Sequence, residues 1–309
     1  MTRKSVLIIH TGKVDGPGGF GDSIEYGRIL CSTCLLEDYR GWEVYWITCP
    51  GAAALLRENH LIDHLILAED PDEVGPFPVE AFHTIINLDE SHPWQHFAAG
   101  ISALHRYSSA LSDGSPASGR NQTDAGLPLQ IYRMLGRQWQ GQAYRLSDPD
   151  NMMSVFDVGL ISSDWPSRDQ TAWPADRWHQ LRYLLEQDYR VGPDQGMEHL
   201  QDYIGWVASC DMVIAVSGLG LHLAIALRKR VLALLTQDEY EDTFLFGQGI
   251  KLKGIESLNC PGCQARGELP HVCLNGVAAE SVAQSLRCLT TESVVTPIVA
   301  LPNLEAVRT

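Results

Sequence analysis

Short apolar runs alternate with helically spaced segments along the whole chain, and this alternation limits the fold more than any other feature. In the first half, the runs at 6–10, 43–48, 61–67 and 81–88 read as strands, because they are apolar and too short for helices. Between them, 22–39, 50–59 and 92–105 read as helices; Ile24, Leu30, Cys31, Cys34 and Leu35 share one side of the first. The stretch 108–126 is rich in Ser, Gly, Asp and Asn and reads as a long surface loop, and 127–138 as a helix. The second half repeats the pattern, with strands at 156–161, 212–216 and 231–235 and helices at 174–187, 202–210, 221–227 and 279–289. Strands that alternate with helices in this way imply parallel sheets covered on both faces, so the expected fold class is α/β.

A chain of 309 residues is long enough for two domains, each with its own core. The expected division is 1–150, 151–289 and a weakly patterned tail, 290–309, that packs back on the first domain. No run of eighteen apolar residues exists, and the apolar run near the N-terminus is too short for a signal peptide. The expectation is a cytoplasmic protein, at most peripheral to the inner membrane. The net charge of −15 offers no basic face for nucleic acid and opposes an anionic bilayer; Arg228, Lys229 and Arg230 form one local basic patch. Eight cysteines in a cytosolic chain argue against disulfides. Cys31, Cys34, Cys49, Cys210 and Cys288 read as core or surface thiols.

Four segments carry candidate chemistry. In 215–227 a strand runs into the turn Ser217, Gly218, Leu219, Gly220, and a helix follows with His222 in its first turn. Glycines allow a tight turn, and the free N–H groups of the helix start suit phosphate. An ordinary βα turn uses the same residues. Asp22 follows the glycine loop Gly19, Phe20, Gly21 and opens a helix, where it can cap the free amides or act as a general base. Gly16 to Gly21 also spells G-x-G-x-x-G, but residues 11–15 separate it from its strand. The second strand also lacks a terminal acid for a ribose, which weakens a nicotinamide-binding reading. Ser162 and Ser163 end a strand and can donate to phosphate, with Arg168 as a bidentate partner. Glu241 can accept from a sugar hydroxyl, or be one solvated acid of an acidic loop. Cys260, Cys263 and Cys273, with His271, resemble a metal knuckle, although the spacing is also that of buried thiols closing a loop.

Taken in order, Gly19-Phe-Gly-Asp22, Trp173-Pro-Ala-Asp-Arg-Trp178, the run 210–227 and the cysteine loop resemble glycosyltransferase family 9, the ADP-heptose:lipopolysaccharide heptosyltransferases and their relatives. The resemblance spans about 5–289. It implies a GT-B fold, two Rossmann-like domains facing a central cleft, with the nucleotide sugar on the C-terminal domain and the acceptor on the N-terminal one. It implies an inverting transfer to a glycan or glycoconjugate hydroxyl that requires no cofactor. By the same resemblance Asp22 is the base, Ser217–Gly220 with His222 is the donor-phosphate loop, and Ser162 and Ser163 are a second phosphate contact. Some relatives bind iron through four cysteines, so a structural Zn or Fe at Cys260, Cys263 and Cys273 is the corresponding expectation.

Three departures stand out. Ser217 replaces the family's aspartate, Thr171 replaces a lysine before the Trp-Pro pair, and the run 181–211 is short by about one strand–helix unit. Loss of the lysine leaves Arg168 as the cation near a leaving diphosphate. These departures keep a non-catalytic, nucleotide- or glycan-binding scaffold as the alternative, with an NAD-dependent oxidoreductase behind it.

Overall fold

A computed structural model of the chain describes residues 3–12, 23–109, 126–146, 154–162, 173–192, 197–237, 239–254 and 272–291. The first half contains strands β1 (Ser5–Ile9), β2 (Glu43–Thr48), β3 (His64–Leu67), β4 (Phe82–Asn87) and β5 (Ala103–Ser108), with helices α1 (Ser23–Ser32), α2 (His92–Gly100) and α3 (Leu127–Met134). The second contains β6 (Phe156–Ile161), α4 (Ala175–Leu185), β7 (Val191–Gly192), α5 (Leu200–Ala208), β8 (Cys210–Ala215), α6 (Leu219–Ala226), β9 (Arg230–Leu235), α7 (Glu239–Asp242), β10 (Gly249–Lys253), α8 (Val272–Asn275) and α9 (Ala279–Thr291). Each half forms a five-stranded sheet, ordered β3-β2-β1-β4-β5 and β10-β9-β8-β6-β7. Every pairing is parallel.

Several expected elements are shorter or different. The helix expected at 22–39 ends at Ser32 and continues as a 3-10 turn, Thr33–Glu37. The hydroxyls of Ser32 and Thr33 donate to the carbonyls of Ile29 and Leu30, each at 2.7 Å, and such local bonds compete with the regular ladder. The segment 50–59 is likewise a 3-10 turn, Pro50–Leu55. The helix expected at 92–105 stops at Gly100, where Ile101 turns extended, and β5 then pairs with β4. The run 181–211 holds both a strand and a helix, with β7 reduced to two residues. Strand β10 was hidden because two of its five residues are lysines.

The halves are joined through α6. Every residue of this helix is buried. A helix apolar on all sides must be covered on all sides. One side packs on its own sheet and another on α1, giving one continuous core that includes Ile29, Leu30 and Cys31 as well as Leu219, Leu223 and Ala224. Aromatic rings reinforce the junction. Trp139, in the segment after α3, meets Phe244 edge-on at 4.6 Å between ring centres, and Tyr144 meets Phe246 at 5.5 Å. Among the described residues, no helix is long and apolar enough to cross a membrane. Cys31, Cys34, Cys49 and Cys210 are buried thiols, and Cys288 is exposed.

Candidate functional site

In an open parallel sheet, ligands bind beyond the carboxyl ends of the strands, where the strand order reverses. The two reversals fall between β1 and β4, and between β6 and β8.

In the second sheet, Ile161 of β6 is in register with Ala215 of β8, so Ser162 leaves the sheet beside Val216, next to Ser217. Gly218 then takes φ +123°, a conformation that side chains rarely adopt. It forms the N-cap of α6, and no side chain among the described residues caps the helix. The first helical amide bond runs from His222 N to Gly218 O, at 3.3 Å. The amides of Leu219, Gly220 and Leu221 precede that bond and are the free donors of a helix start. Ser217 and Gly218 are half-buried, while Leu219, Gly220 and His222 are buried, so the turn is the accessible part. Gly220 is required by packing: an added Cβ would collide with the Tyr203 hydroxyl and lie 2.7 Å from Ile161 Cδ1.

The His222 ring lies in the junction between the halves. It packs against Gly27 of α1, where an added Cβ would lie 3.0 Å from its Cδ2. The Tyr144 hydroxyl is 3.0 Å from His222 Nδ1, and Cys31 Sγ is 3.3 Å from the same nitrogen. Burial lowers the His222 pKa to about 4, so the ring is neutral and Nδ1 can accept. Burial first, then the neighbouring Cys31, raises the Tyr144 pKa well above the ordinary phenol value, so its hydroxyl keeps the proton that it donates. The contribution of His222 to this turn is thus its backbone amide, which closes the first turn of α6.

Beyond β9, the Thr236 amide and hydroxyl both donate to Glu239 Oε2, at 3.0 and 2.7 Å, at the start of α7. Glu241 lies on α7 with its side chain 80% exposed, 3.9 Å from Lys253 Nζ. Lys251 Nζ donates to the carbonyls of Tyr240 and Thr243 at the end of α7.

In the first sheet, Ile9 of β1 is in register with Asn87 of β4. The sequence reading did not single out the polar groups that gather there. Asp89 Oδ2 accepts from the Thr11 hydroxyl, and Oδ1 accepts from the Ser91 amide at 3.0 Å and the Ser91 hydroxyl at 2.6 Å. Asn87 Oδ1 accepts from the Asp89 amide at 3.1 Å, while its buried Nδ2 has no partner among the described residues. His10 Nδ1 lies 2.9 Å from Ser32 Oγ, and burial, helped by Arg28, lowers its pKa to about 3. The signal was available: the apolar run of β4 ends abruptly in Asn87-Leu-Asp89-Glu-Ser91.

Gly19, Phe20, Gly21, Asp22, Ser163, Arg168, Thr171, Cys260, Cys263 and His271 lie outside the described residues. Cys273, on α8, is buried, and a Cβ at Gly254 would lie 2.9 Å from its sulfur. Among the described residues, no group of three or more His, Cys, Asp or Glu is placed to hold a metal.

No profile of a known protein family matches the chain, and neither does any curated protein. Solved structures do match. A glycosyl transferase family 9 protein from Veillonella parvula DSM 2008 superposes with a TM-score of 0.66 at 14% identity, over 94% of this chain and 98% of that one. The E. coli heptosyltransferase WaaC with ADP gives 0.59 at 11% identity, over 92% and 99%. The iron-containing dodecameric glycosyltransferase TibC from enterotoxigenic E. coli H10407 gives 0.55 at 14% identity, over 94% and 77%. The chain shares the α/β architecture of these glycosyltransferases, the GT-B fold, across both halves.

Proposed function

We propose that the protein is an inverting glycosyltransferase, moving a sugar from a nucleoside-diphosphate sugar to a hydroxyl of a glycan or glycoconjugate. The observation that carries this reading is the uncapped start of α6, turned on Gly218 at the strand-order reversal beside Ser162. Its amides match the pyrophosphate of a donor. The likeness in fold to glycosyltransferases, one of them solved with ADP, supports the same reading.

In the proposed reaction, the acceptor hydroxyl attacks the anomeric carbon as the bond from that carbon to the phosphate oxygen breaks. One displacement inverts the centre. Asp22, immediately before α1, takes the hydroxyl proton. The nucleoside diphosphate leaves against the amides of Leu219 and Gly220, with Ser162, Ser163 and Arg168 supporting it and Glu241 accepting from the ribose. The sugar is heptose-like or a related one, and the net charge favours a soluble glycan or protein acceptor over an anionic lipid. We also assign Cys260, Cys263 and Cys273 to a structural Zn or Fe site, which metal analysis of the purified protein would test.

The test of the base is Asp22→Asn, assayed with nucleotide sugars. The variant is expected to fold normally, keep donor binding and lose most transfer and donor hydrolysis. Retained activity would remove Asp22 from the role. Two observations favour a second reading, a nucleotide-binding scaffold: the His222 ring is engaged between the halves, and Ser217 stands where an acid is expected. Nucleotide-sugar binding without turnover on any acceptor would select it. A thermal shift with NAD would revive the oxidoreductase.

A further inference from the structure

We propose that Lys253 supplies a second positive charge, besides Arg168, that a nucleoside diphosphate meets on the second sheet. This inference rests on the donor-site reading above and adds a residue to that site. A leaving diphosphate carries roughly two to three negative charges, against about half a positive charge at a helix start. The serines beside it are neutral, and the chain as a whole is at −15. Arg168, assigned to the diphosphate above, brings a single charge, so a second cation is needed.

The sheet offers one at the right edge. Its strands β6, β7, β8 and β9 end on Ile161, Gly192, Ala215 and Leu235, whereas β10 ends on Lys253. Arg228, Lys229 and Arg230 lie at the opposite edge, where β9 begins. Lys251, two residues earlier on β10, is already committed to the carbonyls of Tyr240 and Thr243.

Register fixes the level. Lys253 pairs with Leu235, and Ala215 pairs with Ala233. Two residues beyond Ala215 is Ser217, so Ser217, Leu235 and Lys253 lie at one height on neighbouring strand tracks. Strand spacing puts Lys253 about 10 Å from Ser217 in the backbone, a gap that a four-carbon stem and a diphosphate can close between them. The face is also right. Residues paired in register in a parallel sheet point to the same side, and Leu235 belongs to the core shared with α6.

The present partners of Lys253 are easily exchanged. Its ammonium lies 5.2 Å from the centre of the Tyr240 ring and 3.9 Å from the exposed Glu241 carboxylate. An exposed pair at that distance holds weakly. Phosphate would replace Glu241, which would then be released to the ribose hydroxyls.

The test compares ADP, UDP and GDP with adenosine, uridine and guanosine by calorimetry on the wild type, Lys253→Met and Lys253→Arg. For whichever diphosphate the wild type binds, Lys253→Met is expected to weaken it about ten-fold or more. Its nucleoside should change less than about two-fold, and Lys253→Arg should restore most of the affinity. Equal weakening of diphosphate and nucleoside, or no weakening of either, overturns the assignment while leaving the donor site intact. If the wild type binds none of the three diphosphates, the donor-site reading falls and takes Lys253 with it.

Discussion

The Tyr144 hydroxyl and His222 Nδ1 are hydrogen-bond partners at 3.0 Å, across the junction between the two halves. Tyr144 lies in the segment after α3, and His222 lies on α6 of the second sheet. Both are buried, so neither polar atom can turn to water if the other is removed. Tyr144→Phe is expected to destabilise the fold by about 1–3 kcal/mol, the cost of a buried acceptor left unpaired. Urea unfolding measures this. An unchanged midpoint would mean that Cys31, 3.3 Å from the same nitrogen, satisfies it alone.

Acid should weaken the same junction. Burial lowers the pKa of His222 to about 4 and that of His10 to about 3, from 6.5. Below pH 6.5 the unfolded chain binds protons that the folded chain refuses. The stability contributed by these neutral rings is therefore full above pH 6.5 and is lost as pH falls toward 4 and then 3. The loss is on the order of 3 kcal/mol for His222. His222→Gln should flatten the fall in unfolding free energy between pH 6.5 and 4.5. A variant with the same slope as the wild type would contradict a buried neutral ring.

Gly220→Ala should be poorly tolerated. The new Cβ has no room between Tyr203 and Ile161, and α6 cannot move away without disturbing its packing on α1. Overpacking of this kind costs about 1–3 kcal/mol. A melting temperature equal to that of the wild type would show that α6 has slack.

Asp89→Ala should loosen the carboxyl end of the first sheet. It deprives the Thr11 hydroxyl and the Ser91 amide and hydroxyl of their acceptor. A loss of about 1–3 kcal/mol is expected, with faster hydrogen exchange at Ser91. Unaltered exchange there would contradict the bonding described.

Much of this was legible in the sequence. The strand at 156–161 is found at those bounds, and the turn at Ser217 and Gly218 leads into a helix as its small residues imply. What was hidden depends on neighbours distant in sequence. Residues 103–105 continue the helical spacing of 92–105, and only the pairing of β5 with β4 makes them a strand. β10 was missed because its lysines find acceptors and a ring on α7. The cluster around Asp89 went unread because nothing local brings Thr11 to it. His222 was legible as a first-turn residue of α6, and the apolar residues around it on every side imply a ring buried between two layers.

The most direct test of the central claim is a thermal-shift screen of the purified protein against ADP-, UDP-, GDP- and CMP-linked sugars. Ligand that binds only the folded state raises the melting point, by an amount equivalent to about 2.7 kcal/mol at a hundred times the dissociation constant. At least one of the ADP-, UDP- and GDP-linked sugars is expected to raise it by several degrees, with its free nucleoside diphosphate doing so too, whereas a CMP-linked sugar has no pyrophosphate and serves as the control. No shift with any of those three, at millimolar concentration, would contradict a donor pyrophosphate held at the start of α6.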